Sequence, residues 1–182
     1  ESPLNPDKPQ SDKPQSDKPQ PVRIAVSEDE AFNFTYEENR AVLRQLGAEL
    51  VPFSPLSDSA LPAGLDGLYL GGGYPELYAA QLSENRSMCS SVRAALEAGL
   101  PCIAECGGFM YLTEAIGEHP MVGFLPGRCF DAGKLARFGY VTLTAERDNL
   151  LCRAGGSIPA HEFHHWDAEQ TGDTFTAAKP FG

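Results

Sequence analysis

Cys106 is the residue in this chain best placed to do covalent chemistry. It stands in Ala104-Glu105-Cys106-Gly107-Gly108-Phe109-Met110, where the apolar run Pro101 to Ala104 must turn into a helix that starts at Gly107 or Gly108 and runs to about Ile116. Two glycines after the cysteine permit a turn that side chains with a Cβ resist. They also leave backbone N–H groups bare at a helix N-terminus, where negative charge is favoured. The expectation is a stabilised thiolate with an oxyanion site beside it. This is the cysteine counterpart of the strand–turn–helix nucleophile elbow. A structural cysteine at a strand end has the same local sequence, since unpaired cysteine is among the most buried residue types.

A cysteine nucleophile needs a partner to move protons, usually histidine. Of His119, His161, His164 and His165, three fall in Ala160-His161-Glu162-Phe163-His164-His165-Trp166-Asp167. As a strand, this segment puts His164 on the face of Glu162, and His161, Phe163 and His165 on the other. As a helix it is the zinc-hydrolase pattern H-E-x-x-H, with His161 and His165 one turn apart and Glu162 as base. Pro159 suits a first helical position. A third ligand would then have to come from Glu169 or Asp173.

The loop Gly71-Gly72-Gly73-Tyr74-Pro75-Glu76 lacks the lysine and hydroxyl of a phosphate loop, and no G-x-G-x-x-G follows a strand, so nucleotide binding by this chain is not expected. A glycine run at a strand end either presents a bare N–H to an oxyanion or serves a turn that needs positive φ.

The elements that must position these residues alternate. Strands are expected at Val22 to Val26, Ala48 to Phe53, Asp66 to Leu70 and from Pro101. Helices are expected at Tyr36 to Leu46, around Pro75 to Gln81 and at Asn85 to Ala98, with Gly47 and Gly99 as stops. Such alternation implies a parallel sheet covered by helices on both faces. Sites in open α/β sheets lie beyond the carboxyl ends of strands, where both Gly73 and Cys106 fall. Phe138 to Ala145 and Ile158 to His165 read as strands with no helix between, implying an antiparallel extension at one sheet edge.

The 182 residues suit about one domain, and 42% hydrophobic content suits a globular body. Residues 1–20 differ: Asp7-Lys8-Pro9-Gln10-Ser11 recurs at 12–16 and again at 17–20, a Pro-rich tether rather than core-forming chain. This gives a linker at 1–20 and a domain at 21–182, with the tether implying a longer polypeptide. No apolar h-region marks a signal peptide, and no run reaches the ~20 apolar residues of a membrane span. A net charge of -11 argues against nucleic acid. Five cysteines, an odd number, suit a reducing, cytoplasmic setting better than a disulfide framework.

Taken in order, the blocks Ala31-Phe32-Asn33-Phe34, Phe53 to Asp58, Gly71 to Tyr78, Ala104 to Leu112, Phe138-Gly139-Tyr140 and His161-Glu162-Phe163-His164 resemble the class I glutamine amidotransferase domain of the cobyrinic acid a,c-diamide synthase family. The resemblance implies a flavodoxin-like three-layer α/β fold with a mostly parallel sheet. It implies Cys106 as nucleophile, His164 as base, and Gly72, Gly73, Gly107 and Tyr74 as oxyanion and substrate-binding residues. Ordinary class I members carry a glutamate two residues after the histidine; here that position is Trp166, and the family resembled lacks the glutamate. Glu162 is then a candidate to orient the imidazole. The expected reaction is glutamine hydrolysis through a Cys thioester, with ammonia passed to an ATP-dependent synthetase domain, normally N-terminal in the same polypeptide, that amidates a corrin-type acid. No cofactor or metal is expected in this chain, and Mg-ATP is expected on the synthetase. Two departures are His165-Trp166 in place of Tyr-Ser, and a chain that stops before the closing strand expected from relatives. The alternatives are a non-catalytic binding module, a stand-alone cysteine hydrolase and the zinc hydrolase.

Overall fold

The computed structural model describes residues 21–179; the tether expected at 1–20 lies outside the described residues, as do residues 180–182. The chain runs through β1 (Arg23–Ser27), α1 (Glu37–Gln45), β2 (Glu49–Phe53), β3 (Gly67–Leu70), a 3₁₀ turn (Pro75–Tyr78), α2 (Ala79–Glu84), α3 (Arg86–Glu97), β4 (Cys102–Ala104) and α4 (Gly107–Leu112). Strands β1 to β4 form one sheet in the order β2-β1-β3-β4, with every pairing parallel. All four residues of β3 are buried, as expected of a strand inside a parallel sheet.

Local chemistry explains where the helices start and stop. Gly47 (φ 92°) and Gly99 (φ 88°) take the left-handed turn that ends α1 and α3. The Asn85 side chain caps α3 by accepting from the Met88 N–H at 3.3 Å. Met88, Cys89, Val92 and Leu96 then share one buried helix face against the core. That core includes Leu68 and Leu70 of β3, with Phe32, Phe53 and Tyr111 packed on them.

The helix after the elbow is shorter than its sequence suggests. It ends at Leu112, because Thr113 is extended (ψ 177°) and its buried hydroxyl donates to the Met110 carbonyl at 2.7 Å. Ala115–Ile116 is instead a strand, β5. It is followed by β6 (His119–Pro120), β7 (Arg128–Asp131), β8 (Arg137–Ala145), β9 (Ser157–His164), β10 (Trp166–Ala168) and β11 (Phe175–Ala178).

The antiparallel part is not an edge extension of the parallel sheet. It forms two further sheets, ordered β10-β7-β5-β6 and β11-β8-β9. The cause is local: β5 follows α4 almost at once and pairs with β7, so the returning chain builds on β5 and not on β4. One long ribbon joins the two sheets. Its inner register places Trp166 opposite Asp131, whereas its outer register places His164 opposite Arg137.

Candidate active site

The elbow is strained where the sequence requires it. Cys106 has φ 50° and ψ −109°, and among the described residues it alone takes positive φ without being glycine. The two glycines after it are fixed by crowding. A Cβ on Gly107 would lie 2.7 Å from Pro75 Cδ, and one on Gly108 would lie 2.4 Å from the Leu70 carbonyl oxygen. The elbow therefore sits directly against the end of β3 and the loop that leaves it.

That loop has three glycines with three different tasks. The Gly71 N–H donates to the buried Ser27 hydroxyl at 3.0 Å. The Gly72 N–H donates to the Phe34 carbonyl at 3.1 Å. The Gly73 nitrogen lies against Gly107, 3.3 Å from where a Cβ would stand, and the N–H groups of Gly107 and Gly73 both favour the Cys106 anion. A Cβ on Gly73 would fall 2.1 Å from the Ala31 carbonyl oxygen, and its φ of 154° already disfavours a side chain. Tyr74 donates its N–H to the same carbonyl at 3.0 Å and leaves its ring exposed. Of the expected oxyanion donors, Gly73 and Gly107 act on the cysteine's charge, while the Gly72 N–H is already taken.

Sequence reasoning missed the residues that hold this loop. The Asp29 carboxylate accepts from the N–H groups of Ala31 (2.9 Å), Phe32 (3.1 Å) and Leu56 (3.0 Å) and from the Ser54 hydroxyl (2.8 Å). It fixes the 31–34 turn, and Phe34 bridges to Gly72. The available signal was an aspartate two and three residues before bonded N–H groups, an ordinary turn pattern. No sequence signal marks Ser27.

The electrostatics run against a stabilised thiolate. Loss of hydration pushes the Cys106 thiol up, and the Glu76 and Glu105 carboxylates add to the rise. The N–H groups of Gly107 and Gly73 oppose it, without overcoming it. The stabilisation expected at the start of α4 is thus opposed by two carboxylates, and the Cys106 side chain itself is exposed. Burial also pushes the Glu76 carboxyl up, opposed by its own N–H and reinforced by Asp131. Glu105 accepts from the Tyr69 hydroxyl at 3.1 Å.

His164 ends β9 on the half-buried face with Glu162, and His161, Phe163 and His165 are exposed, as the period of two requires. The ring Nδ1 of His164 donates to the Trp166 carbonyl at 2.6 Å. Glu162 does not serve that nitrogen. Its carboxylate lies 3.9 Å from Arg137 Nη1 and 3.8 Å from Lys179 Nζ. The charge of Asp131 bears on the Glu76 carboxyl, and that of Glu76 on the Cys106 thiol. Asp131 pairs with Trp166, two residues after His164. Among the described residues no hydrogen bond joins His164 to Cys106. Free enzymes often hold catalytic contacts loosely.

The H-E-x-x-H pattern lies in a strand, so His161 and His165 do not stack one helical turn apart. Among the described residues no cluster of three metal-ligating side chains occurs, and no helix is long and apolar enough to cross a membrane. A cavity of about 430 Å³ lined by Glu28, Asp29, Phe32, Asn33, Thr35 and Arg40 lies beside the glycine loop, where Thr35 crowds Gly71. A larger one of about 490 Å³ at Leu61, Leu65 and Pro101 lies at the amino end of β4, remote from the elbow.

A parallel sheet whose carboxyl edge carries a strained cysteine elbow, completed by a returning antiparallel ribbon, defines a fold of the class I glutamine amidotransferase type. A chain of the PurLQS structure from Thermotoga maritima has this fold, with a TM-score of 0.63 at 18% identity over 87% of this chain and 76% of that one. The model of the CobB/CobQ-like glutamine amidotransferase domain matches residues 23–179, and the chain belongs to that family. The cobyrinate a,c-diamide synthase of Caldanaerobacter subterraneus subsp. tengcongensis is 48% identical over 79% of this chain and 33% of its own length. That of Dehalococcoides mccartyi strain 195 is 40% identical over 98% of this chain and 40% of its own length. The chain thus spans about a third to two fifths of these curated relatives.

Proposed function

We propose that this domain is the glutaminase part of a cobyrinate a,c-diamide synthase, hydrolysing glutamine at Cys106 and delivering ammonia to a synthetase. The observation that carries this reading is a cysteine in strained backbone beside the closely packed Gly73 and Gly107, whose N–H groups both favour its anion. Donors so placed stabilise charge that develops in a transition state. Here that charge is the oxyanion formed when sulfur attacks the side-chain amide carbon.

His164 takes the thiol proton at Nε2, and the thiolate adds to the amide carbonyl. The tetrahedral intermediate collapses, the C–N bond breaks, and His164 returns the proton to the leaving ammonia. Water, deprotonated by His164, then hydrolyses the γ-glutamyl thioester to glutamate and free thiol. The thiolate and not the thiol is the nucleophile, so this transfer supplies the attacking species.

The synthetase is the polypeptide that the relatives carry beyond this domain. On this reading it binds Mg-ATP, activates a carboxylate of a corrin-type acid and consumes the ammonia in the cytoplasm. The deciding experiment is a glutamine-to-glutamate assay on the purified chain. Cys106→Ser is expected to abolish turnover in a folded protein, whereas Cys102→Ser changes only packing. Activity that survives Cys106→Ser and dies with Cys102→Ser refutes the assignment.

A further inference from the structure

The contact between His164 Nδ1 and the Trp166 carbonyl is not one that a regular strand makes. Side chains stand perpendicular to a sheet, while carbonyls lie in its plane. The ribbon breaks this rule at His165. Residues 132–136 on one strand face only His165 on the other, since Asp131 pairs with Trp166 and Arg137 with His164. Such a bulge bends the strand and re-aims its side chains.

Hydrogen bonding then leaves one carbonyl free. The His164 carbonyl accepts from the Ala136 N–H at 2.9 Å, and that of His165 from the Ala132 N–H at 3.3 Å. The His165–Ala132 bond and the Glu169–Arg128 bond alternate along β10 and β7, which puts Trp166 in a non-hydrogen-bonded pair. Its carbonyl faces away from β7, and β10 is the edge of its sheet. No ladder partner competes, so this oxygen accepts from the imidazole. A carbonyl only accepts, so Nδ1 holds the proton and Nε2 keeps its lone pair.

We infer that the main-chain carbonyl of Trp166 is the positioning group of this site, fixing the Nδ1–H tautomer of His164 in place of a carboxylate. In Ser-His-Asp enzymes a carboxylate on Nδ1 performs this task, and losing the correct tautomer is costly. Here the residue two positions after the histidine supplies its backbone instead of its side chain. The identity of that side chain is therefore irrelevant to the tautomer. The inference rests on His164 as the base, but the tautomer is measurable without any reaction.

The test is nitrogen NMR of the full chain labelled with ¹⁵N-histidine, at a pH where the imidazoles are neutral, with His164 assigned by its loss in His164→Gln. A protonated Nδ1 and bare Nε2 are expected; an Nε2–H form overturns the inference whatever the activity. Ala132→Pro and Ala136→Pro each remove one N–H that pins the bulge. In each folded variant, a fall in the Nδ1–H fraction is expected to bring a matching fall in kcat for glutamine, about 10²–10⁴ at full loss, with KM within twofold. A kcat that stays flat while the tautomer is lost overturns the positioning role. An Nδ1–H tautomer in a chain that hydrolyses no glutamine upholds the contact and refutes the glutaminase reading alone.

Discussion

Replacing Gly73 by alanine tests the oxyanion site at its most constrained atom. The new Cβ would lie 2.1 Å from the Ala31 carbonyl oxygen, 2.9 Å from the Ala31 carbonyl carbon and 3.0 Å from Phe32 Cα. All three are backbone atoms, held by the four hydrogen bonds to Asp29, so the loop carrying residue 73 must move. Its N–H then no longer favours the cysteine's anion. Losing one such donor costs about 10²–10³ in kcat, or roughly 2.7–4 kcal/mol of transition-state stabilisation. Gly72→Ala is the matched control. Its Cβ would meet the Phe34 carbonyl oxygen at 3.4 Å and Cys106 Cβ at 3.7 Å, ordinary contacts, and its N–H is already committed to Phe34. Steady-state glutamine hydrolysis gives kcat for both variants, and the thermal transition shows whether each is folded. A Gly73→Ala enzyme within threefold of the parent, or a Gly72→Ala enzyme as damaged as Gly73→Ala, refutes the assignment of Gly73 as oxyanion donor.

Three further outcomes are expected. His164→Ala should lose about 10²–10⁴ in kcat, whereas His161→Ala and His165→Ala, on the exposed face, should lose less than tenfold; steady-state kinetics decide, and Glu162→Gln should fall only modestly because its carboxylate serves Arg137 and Lys179. Loss of hydration is the main cause of the raised Cys106 thiol, with Glu105 adding to it, so Glu105→Gln removes a negative charge beside the thiolate and lowers the thiol pKa. The pH profile of Cys106 alkylation should then move to lower pH, and an upward move refutes the sign. Basal glutaminase activity should be slow and should rise when the synthetase, ATP and acid substrate are added, because His164 and Cys106 share no hydrogen bond in the free domain; a rate of about 10 per second without a partner refutes this.

The sequence shows the parallel half of this fold because each of its elements ends on a local signal. Gly47, Gly99 and the Asn85 cap act within one turn of the helices they bound. The elbow and the strand faces of His161 to His165 are equally local. The antiparallel half is harder to read, since β5, β6, β7 and β10 have four residues or fewer and depend on pairing across the chain. The bulge at residues 132–136 has one local mark, Gly133 at φ 66° with its N–H donating to the Asp131 carboxylate, but the change of register is set by pairing across the chain. Ser27, Asp29 and the commitment of the Gly72 N–H are likewise partners in space, remote or unmarked in sequence.

The backbone at Cys106 also sets stability against reactivity. A residue with a Cβ held at φ 50° costs roughly 1–3 kcal/mol, which the rest of the fold must offset. Glycine alone would relieve that cost, so Cys106→Gly makes the domain more robust while removing its sulfur. On the proposed function, drift toward stability at this position removes the nucleophile. The tight wall of Pro75, Leu70 and Gly73 around the elbow is what lets the chain carry the less stable residue.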